Sequence, residues 1–297
     1  MKGIKKMASG VPTNRTNIDL PASVSSEILS KVQESSKVMS LARQMPLPGN
    51  GTAINVLLAD PTASWAGETA SKTVSNPSVA TKILRGYTLA VIVPFSNQFR
   101  RDASALYTAI VEKLPDALGR KFDETVFFGS APGSDFDTLA SVTAQSLASD
   151  VYQGLVSADT DIALHGGISN GYIFSAQGKG ILLGATDTTK RPLFTYDATS
   201  RDIPRVLGQR TEVTKAAFKS GSPSKVGFVG DWTQAVWGMV EGVKVDFSSD
   251  ATLKLADESE INLFQQNMFA VRAEIEVGFR ALTDCFNVLT ATGVPSI

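Results

Sequence analysis

The spacing of apolar and polar residues divides the start of the chain into a polar arm and a helix. Residues 1–20 are polar and have too little apolar surface to fold alone, so they predict an extended arm. Residues 22–45 predict a helix because apolar side chains recur every three or four positions. These side chains are Val24, Ile28, Leu29, Val32, Val38, Leu41 and Met45. The Pro- and Gly-rich run 46–51 predicts the end of that helix.

The next part of the chain predicts a projecting pair of strands. Residues 53–59 form a short apolar strand, and residues 83–95 form a longer one. Between them, residues 60–80 are rich in Ser, Thr, Gly and Pro and nearly free of aliphatic side chains. A structureless loop of this length is unusual inside a compact domain. A two-stranded arm supported by its neighbours accounts for the pattern, because an isolated hairpin is only marginally stable in water.

The longest helical pattern runs from residue 105 to residue 128. Its apolar positions recur in steps of four residues, which places them on one face of a helix. They are Leu106, Ile110, Leu114, Leu118, Phe122 and Val126. Pro115 lies inside the run and removes one backbone hydrogen bond, so we expect the helix to bend or to restart there.

From residue 138 onward, helical and strand patterns alternate. Residues 141–156 predict a helix, and residues 172–174, 226–230, 234–240 and 243–247 predict strands. A short helix candidate follows the first of these strands, while residues 178–180 and 187–190 predict turns. Residues 267–280 alternate most clearly, with apolar side chains on one face and Arg and Glu on the other. This pattern predicts a long strand with one buried face.

Composition excludes several classes of protein. The 297 residues are 43% hydrophobic with a formal net charge of -1, which excludes a disordered chain and argues against binding to polyanions by bulk charge. The single cysteine and single histidine exclude an intramolecular disulfide and the usual zinc sites. The basic start of the chain lacks the apolar core of a signal peptide, and no apolar run approaches the length of a membrane span. No cofactor is expected.

Conventional active-site chemistry is poorly supplied. Cys285 and His165 could form a dyad, but Cys285 lies in an apolar run, where a buried thiol is the preferred interpretation. Asp135 with Asp137, and the acidic run 257–260, could hold a hard cation or could form solvated turns. The lysines at positions 2, 5 and 6 could touch nucleic acid or keep the arm soluble. The Gly-rich runs at 166–167 and 178–180 lack the pattern of a phosphate loop.

The order of these features resembles the tailed-bacteriophage major capsid protein family. The hairpin region carries Trp65-Ala-Gly-Glu68, and the following strand ends in Val93-Pro-Phe-Ser96. The long helix closes with Asp123-Glu124 and Gly129. Later matches are Arg191-Pro-Leu193, with Lys190 in place of the family's Gly, and Leu207-Gly208, which lacks the family's Pro. The run Gly227-Phe-Val-Gly-Asp231 and the Arg- and Glu-rich last strand extend the resemblance over nearly the whole chain.

The resemblance implies an α+β phage major capsid fold with four parts. We expect an N-terminal arm and helix at 1–48 and an extended loop, a β-hairpin, at 49–92. A peripheral domain is expected at 93–135 and 257–283, with a spine helix at 104–128 and a long strand at 267–280. An axial α/β domain is expected at 136–256 and 284–297.

The implied function is that of a structural protein and not of an enzyme. Many copies would form hexamers and pentamers of an icosahedral shell that encloses double-stranded DNA, which the subunits touch weakly and without specificity. The expected partners are other copies of the chain, a portal and decoration proteins, with no membrane. Because Trp65 lies early in the chain, with no room for a scaffold segment before it, we expect a separate scaffolding protein or none. We expect assembly in the host cytoplasm and residence in the virion.

Six residues are candidates for contacts between subunits: Trp65, Glu68, Lys72, Arg85, Arg100 and Arg101. Some relatives join neighbours through a Lys–Asn isopeptide bond assisted by a Glu. Lys72 lies in a suitable region, although a solvated lysine is the preferred interpretation. The matching partners are guesses among Asn267, Asn287, Glu274 and Glu276.

Two alternatives stay open. An encapsulin-like bacterial compartment would keep the fold but enclose a cargo enzyme, and the long arm and hairpin favour the phage shell over it. The second alternative is a different class of protein, a cytosolic enzyme that uses Cys285 or His165.

Overall fold

A computed structural model describes residues 32, 35–57, 63–66, 68, 71–72, 74, 79–99, 112–187, 189–194, 205–255 and 258–294. The expected arm at 1–20, half of the first expected helix and residues 104–111 of the expected spine helix lie outside them. The helices in the described part are α1 (Lys37–Leu41), α2 (Leu114–Phe128), α3 (Val151–Leu164) and α4 (Ala176–Gly184). None of the helices in this part is long and apolar enough to cross a membrane.

The strands in the same part fall into two larger sheets and two hairpins. They are β1 (Arg43–Pro46), β2 (Thr52–Leu57), β3 (Val79–Leu84), β4 (Tyr87–Ser96), β5 (Thr143–Ser146), β6 (Gly171–Phe174), β7 (Arg210–Val213), β8 (Ser224–Gly230), β9 (Ala235–Met239), β10 (Lys244–Ser248), β11 (Thr252–Lys254), β12 (Glu260–Asn262), β13 (Met268–Ala281) and β14 (Phe286–Ala291).

The first sheet is built on the long strand β13. β4 runs antiparallel along one edge of β13, with Val93 opposite Val271. The other edge pairs with β10 in its first half and with β9 in its second half, and β1 adds to β9 in parallel. The expected strand at 267–280 is therefore present as Met268–Ala281, with Ala273, Ile275, Val277 and Phe279 buried.

Helix α2 covers the buried face of this sheet. Leu114, Leu118, Phe122 and Val126 are buried, as their four-residue spacing predicts. The ring of Phe122 meets that of Phe279 edge to face at 6.2 Å, which ties the helix to the long strand. Such aromatic pairs add to the burial of apolar area that holds the two layers together.

The second sheet has the strand order β5-β14-β8-β6-β7 and mixes parallel with antiparallel pairs. Helices α3 and α4 pack against it around Leu155, Ile162 and Leu182. Phe228 and Phe286 of this sheet belong to the same apolar cluster as α2 and β13, so one core continues through both sheets.

Two expected elements near the start of the chain differ from the structure. The first helix ends at Leu41 and not at residue 45, because Arg43–Pro46 pairs in parallel with β9. The expected strand at 83–95 is divided into β3 and β4 by Arg85 and Gly86. A Cβ atom on Gly86 would lie 2.6 Å from the side chain of Val240, so the chain turns where only glycine fits.

The spine helix also differs from the expected span of 104–128. Glu112 and Lys113 form a turn, and the helix begins at Leu114 with Pro115 in its first turn. Proline is tolerated there because the first backbone N–H groups of a helix have no partner within it. Pro115 therefore starts this helix, which is one of the two outcomes expected from the sequence.

Further on, the expected helix at 141–156 is instead strand β5 followed by helix α3. Asp150 caps α3 by accepting a hydrogen bond from the Gln153 amide at 3.1 Å, and it sets the start of the helix. The expected turn at 178–180 lies within α4. Gly178 packs so closely on β8 that a Cβ atom would collide with the Val226 carbonyl oxygen, which explains a glycine inside a helix.

Candidate functional site

The predicted hairpin is present as β2 and β3, which pair antiparallel with Thr52 opposite Leu84. Leu84 is fully buried in a small apolar cluster with Leu47 and Val236 at the base of the hairpin. Two glycines in the sheet beneath leave room for the hairpin base. A Cβ atom on Gly238 would lie 2.9 Å from Leu84, and one on Gly278 would collide with the Arg85 carbonyl oxygen. The hairpin base therefore crosses directly over the sheet backbone.

Five charged side chains surround this crossing, and we call them the hairpin-base cluster: Lys82, Arg85, Asp135, Asp137 and Arg280. Lys82 pairs with Asp137 at 2.9 Å, and Arg85 pairs with Asp135 at 3.6 Å. Arg280 pairs with both acids, at 3.0 Å to Asp135 and 2.9 Å to Asp137. The cluster joins the hairpin, the loop after α2 and the long strand.

Arg280 is the centre of the hairpin-base cluster. Its side chain is only 11% exposed, and its Nε donates to the Ile83 carbonyl oxygen at 2.7 Å. Its Nη1 also reaches the Ser134 carbonyl oxygen at 3.3 Å. A guanidinium has a rigid fork of donors, so these bonds fix the angle between hairpin and sheet.

Both acids of this cluster are engaged in ion pairs. Asp137 accepts from the Ala281 amide at 3.1 Å as well as from Lys82 and Arg280. Within the described residues, no group of three or more His, Cys, Asp or Glu side chains could hold a metal ion. Asp135 lies in a turn, as one of the two interpretations has it, but both acids serve mainly as ion-pair partners.

A second attachment point holds the segment before β1. Asp123 of α2 is fully buried and accepts from the Ser36 hydroxyl at 2.6 Å, the Lys37 amide at 2.8 Å and the Val38 amide at 3.3 Å. One turn earlier, Gly119 faces the same segment without room for a side chain. Burial raises the pKa of the Asp123 carboxyl to about 6, although the three hydrogen bonds and Lys37 lower it.

The same segment also touches the second sheet. Lys37 pairs with Glu212 of β7 at 3.2 Å, and Arg210 donates to the Ser40 carbonyl oxygen at 3.4 Å. Residues 36–41 therefore bridge α2 and the second sheet. The sequence pattern did not indicate a role for Asp123, because Asp123 and Glu124 look like an acidic pair at the end of a helix. Its position four residues after Gly119, next to the apolar stripe, was the available signal.

Four of the six predicted contact residues lie in the described part of the chain. Trp65 is fully exposed, and Glu68 and Lys72 are exposed as well. Arg85 belongs to the hairpin-base cluster, with its side chain 54% exposed. Arg100 and Arg101 lie outside the described residues.

The residues considered for a cross-link have different environments. Asn287 is fully buried and donates to the Ala158 carbonyl oxygen at 3.1 Å, so a lysine of another chain could not reach it in the folded subunit. Asn267 is exposed and accepts from Asn97. Glu274 and Glu276 lie on the charged face of β13, and Glu274 pairs with Arg272 at 3.5 Å.

The unique cysteine and histidine do not form a dyad. The Cys285 thiol donates to the main-chain carbonyl oxygen of His165 at 3.8 Å, and the imidazole Nδ1 lies 2.8 Å from the Asp161 carbonyl oxygen. Burial and the charges of Asp231 and Asp284 raise the pKa of the thiol, which opposes formation of a nucleophilic thiolate. Of the acidic run 257–260, Glu258 and Glu260 are exposed, and Glu258 pairs with Lys254 at 3.9 Å, as in a solvated turn.

Comparison with solved structures identifies the fold. A solved structure from Mycobacterium phage Ogopogo is similar with a TM-score of 0.71 at 20% identity, over 86% of this chain and 92% of that one. The capsid of a native GTA particle, computed with C5 symmetry, is similar with a TM-score of 0.62 at 13% identity, over 97% of this chain and 95% of that one. The long helix on a mixed sheet and the projecting hairpin are thus the phage capsid fold.

Sequence comparison identifies the family. The model of the phage capsid family matches residues 18–287. The probable major capsid protein gp17 of Mycobacterium phage L5 is 27% identical over 277 residues, which cover 85% of this chain and 83% of that protein. The chain belongs to the phage capsid family, and it is a capsid protein, as the resemblance implied.

Proposed function

We propose that the chain is the major subunit of an icosahedral phage shell, built of hexamers and pentamers, that encloses double-stranded DNA. The observation that carries the proposal is a hairpin that is held at its base and has a fully exposed Trp in the described part of its loop. Its base is fixed by Leu84 and Arg280, while Trp65 further along is fully exposed. A fully exposed Trp on the hairpin loop offers another molecule a large apolar contact. Other copies of the chain are the natural partner for a capsid protein.

The domain organisation proposed from the sequence is kept with three changes, the first of which moves β1 from the N-terminal arm to the peripheral domain. The described part of the peripheral domain consists of α2 and the first sheet. Because β9 and β10 belong to that sheet, the peripheral domain takes residues 235–248 from the segment first assigned to the axial domain. Because β4 also belongs to it, the extended loop ends near Leu84 and not at residue 92. The second sheet, with α3 and α4, corresponds to the axial domain.

The remaining partners are part of the proposal. We expect a portal, decoration proteins and a separate scaffolding protein or none, with weak and non-specific contact to the packaged DNA. Assembly in the host cytoplasm belongs to the same expectation. The near-neutral net charge of -1 supports the weak contact, because a shell that bound DNA by bulk charge would be strongly basic.

Electron microscopy of the expressed full-length chain tests the function. We expect closed shells or rings of five and six subunits, and purified particles from an infected host should contain DNA. Particles that contain a protein cargo and no DNA would instead identify the encapsulin-like compartment. Monomers at every concentration would contradict both. The phage relatives named above favour the DNA-containing shell.

A further inference from the structure

The contact between Asp123 and residues 36–38 has the features of a group that responds to pH. A carboxylate with no exposed surface is costly because burial removes its hydration. A cation that pairs with Asp123 alone would compensate this cost, but the nearby cation, Lys37, also pairs with another acid. Lys37 is the charge that acts on Asp123, and its ammonium pairs with Glu212 at 3.2 Å.

Within the part of the chain that the structure describes, the other charged groups around this contact do not neutralise Asp123. On α2, Asp116 and Arg120 are exposed, and Lys121 pairs with Glu124 at the surface. Lys215, on the short 3₁₀ turn that packs against α2, is exposed. On β7, Arg210 pairs with Glu212 at 2.7 Å. The charge of Asp123 is therefore met almost entirely by hydrogen bonds.

The hydrogen bonds around Asp123 fit both protonation states. In the 2.6 Å hydrogen bond between Ser36 and Asp123, the Ser36 hydroxyl donates when the carboxyl is ionised, and the carboxyl can donate when it is protonated. Ser36 also accepts from the Met39 amide at 3.1 Å, so its orientation is held independently of Asp123. Proton uptake can therefore relieve the buried charge without removing the contact.

We propose that Asp123 and residues 36–38 form a pH-sensitive latch that holds the N-terminal segment on α2 more tightly in acid than at neutral pH. Residues 36–41 also contact β7. The pH-sensitive contact with α2 therefore affects how these residues link α2 to the second sheet. The latch is a property of one folded subunit and does not depend on the proposed shell.

The sign of the effect follows from the direction of the pKa shift. The pKa of Asp123 is raised from 3.8 to about 6 when the segment is docked, so docking favours the protonated form. The contact has its full strength below the undocked value of 3.8 and weakens as the pH rises through the docked value. Linkage between these two values makes the opening of the segment roughly 20-fold more favourable at pH 7.5 than at pH 4.5.

Hydrogen exchange of the full-length subunit, corrected for intrinsic exchange rates, measures this opening at the amides of Val38 and Met39. We expect the wild-type opening constant to rise roughly 20-fold across that pH range. Asp123→Asn cannot titrate and should abolish the rise. The matched control Asp116→Asn, on the exposed face of the same helix, should retain it.

A second variant keeps the test decisive if Asp123→Asn does not fold. Ser36→Ala removes a hydrogen bond that favours the ionised carboxyl, so the midpoint of the pH dependence should move to higher pH. An opening constant of the wild type that does not change with pH would overturn the proposal. So would an unchanged pH dependence in Asp123→Asn or an unmoved midpoint in Ser36→Ala.

Discussion

Arg280 and Arg272 show how two identical side chains on one strand differ in function. Both fall on the charged face of β13, yet the side chain of Arg272 is 45% exposed and that of Arg280 is 11% exposed. Arg272 pairs with Asp246 across two neighbouring strands of the sheet. Arg280 lies where the hairpin base covers the sheet, so its partners come from other elements. The strand pattern is the same for both, and only the covering layer differs.

Replacing Arg280 should destabilise the subunit much more than replacing Arg272. Arg280→Met leaves Asp135 and Asp137 largely buried without their main partner, which we expect to cost about 3 kcal/mol. Arg272→Met removes an exposed pair and should cost less than about 1 kcal/mol. The free energy of unfolding in urea measures both. Equal losses in the two variants would show that Arg280 is not the centre of a buried network.

Among the described residues of the hairpin, the anchor to the body of the subunit lies at the base. Its strands β2 and β3 pair with each other and not with either of the larger sheets. The fully buried Leu84 carries the apolar contact with the body of the subunit, and its neighbour Ile83 is 43% exposed. Adjacent residues on a strand point to opposite faces, so one anchors the hairpin while the other faces solvent.

Truncating the buried anchor should loosen the hairpin, whereas truncating its neighbour should not. Leu84→Ala leaves a cavity between Leu47 and Val236, and we expect a loss of about 3 kcal/mol in unfolding free energy. Ile83→Ala should cost less than about 1 kcal/mol because the side chain is partly in water. Proteolysis at the hairpin should accelerate in Leu84→Ala alone. Similar rates in the two variants would contradict the assignment of Leu84 as the anchor.

The isolated subunit leaves several large apolar side chains in water. Trp65, Leu164, Ile168 and Phe264 are more than three quarters exposed. They lie on separate elements, on the hairpin loop, the end of α3, the turn after it and the turn after β12. Scattered exposure of single side chains is ordinary, but a fully exposed Trp on a projecting loop is not. The subunit therefore carries apolar surface that the proposed assembly would cover.

Trp65 should contribute to assembly and not to folding. In Trp65→Ala, the unfolding free energy of the unassembled subunit should stay within about 0.5 kcal/mol of wild type, because a fully exposed side chain stabilises little. Shell yield, measured by sedimentation and electron microscopy, should fall. Trp65→Phe, which keeps an aromatic ring, should retain part of that yield. A destabilised subunit, or an unchanged shell yield, would contradict this role.

The elements that the sequence predicted well are those whose pattern is long and simple. The alternation at 267–280 and the four-residue steps of Leu114, Leu118, Phe122 and Val126 persist in β13 and α2, because one face of each is buried along its whole length. The helix expected at 141–156 was wrong because a four-residue strand and a helix cap are too short to impose a period. The family resemblance then supplied the fold and the function, and the comparisons confirm both at the level of the family.

The sequence by itself determined that the chain folds around an apolar core, that conventional active-site chemistry is poorly supplied, that the usual zinc sites are excluded, and that the chain resembles phage capsid proteins. These properties follow from composition, local periodicity and the order of short motifs. Only the tertiary structure decided that Arg43–Pro46 is a strand, that Arg280 links the hairpin to the long strand and that Asp123 holds residues 36–38. Each of these depends on a partner far away in the chain. Burial and hydrogen bonding between distant segments produce no local hydrophobic periodicity, so the sequence pattern does not indicate them.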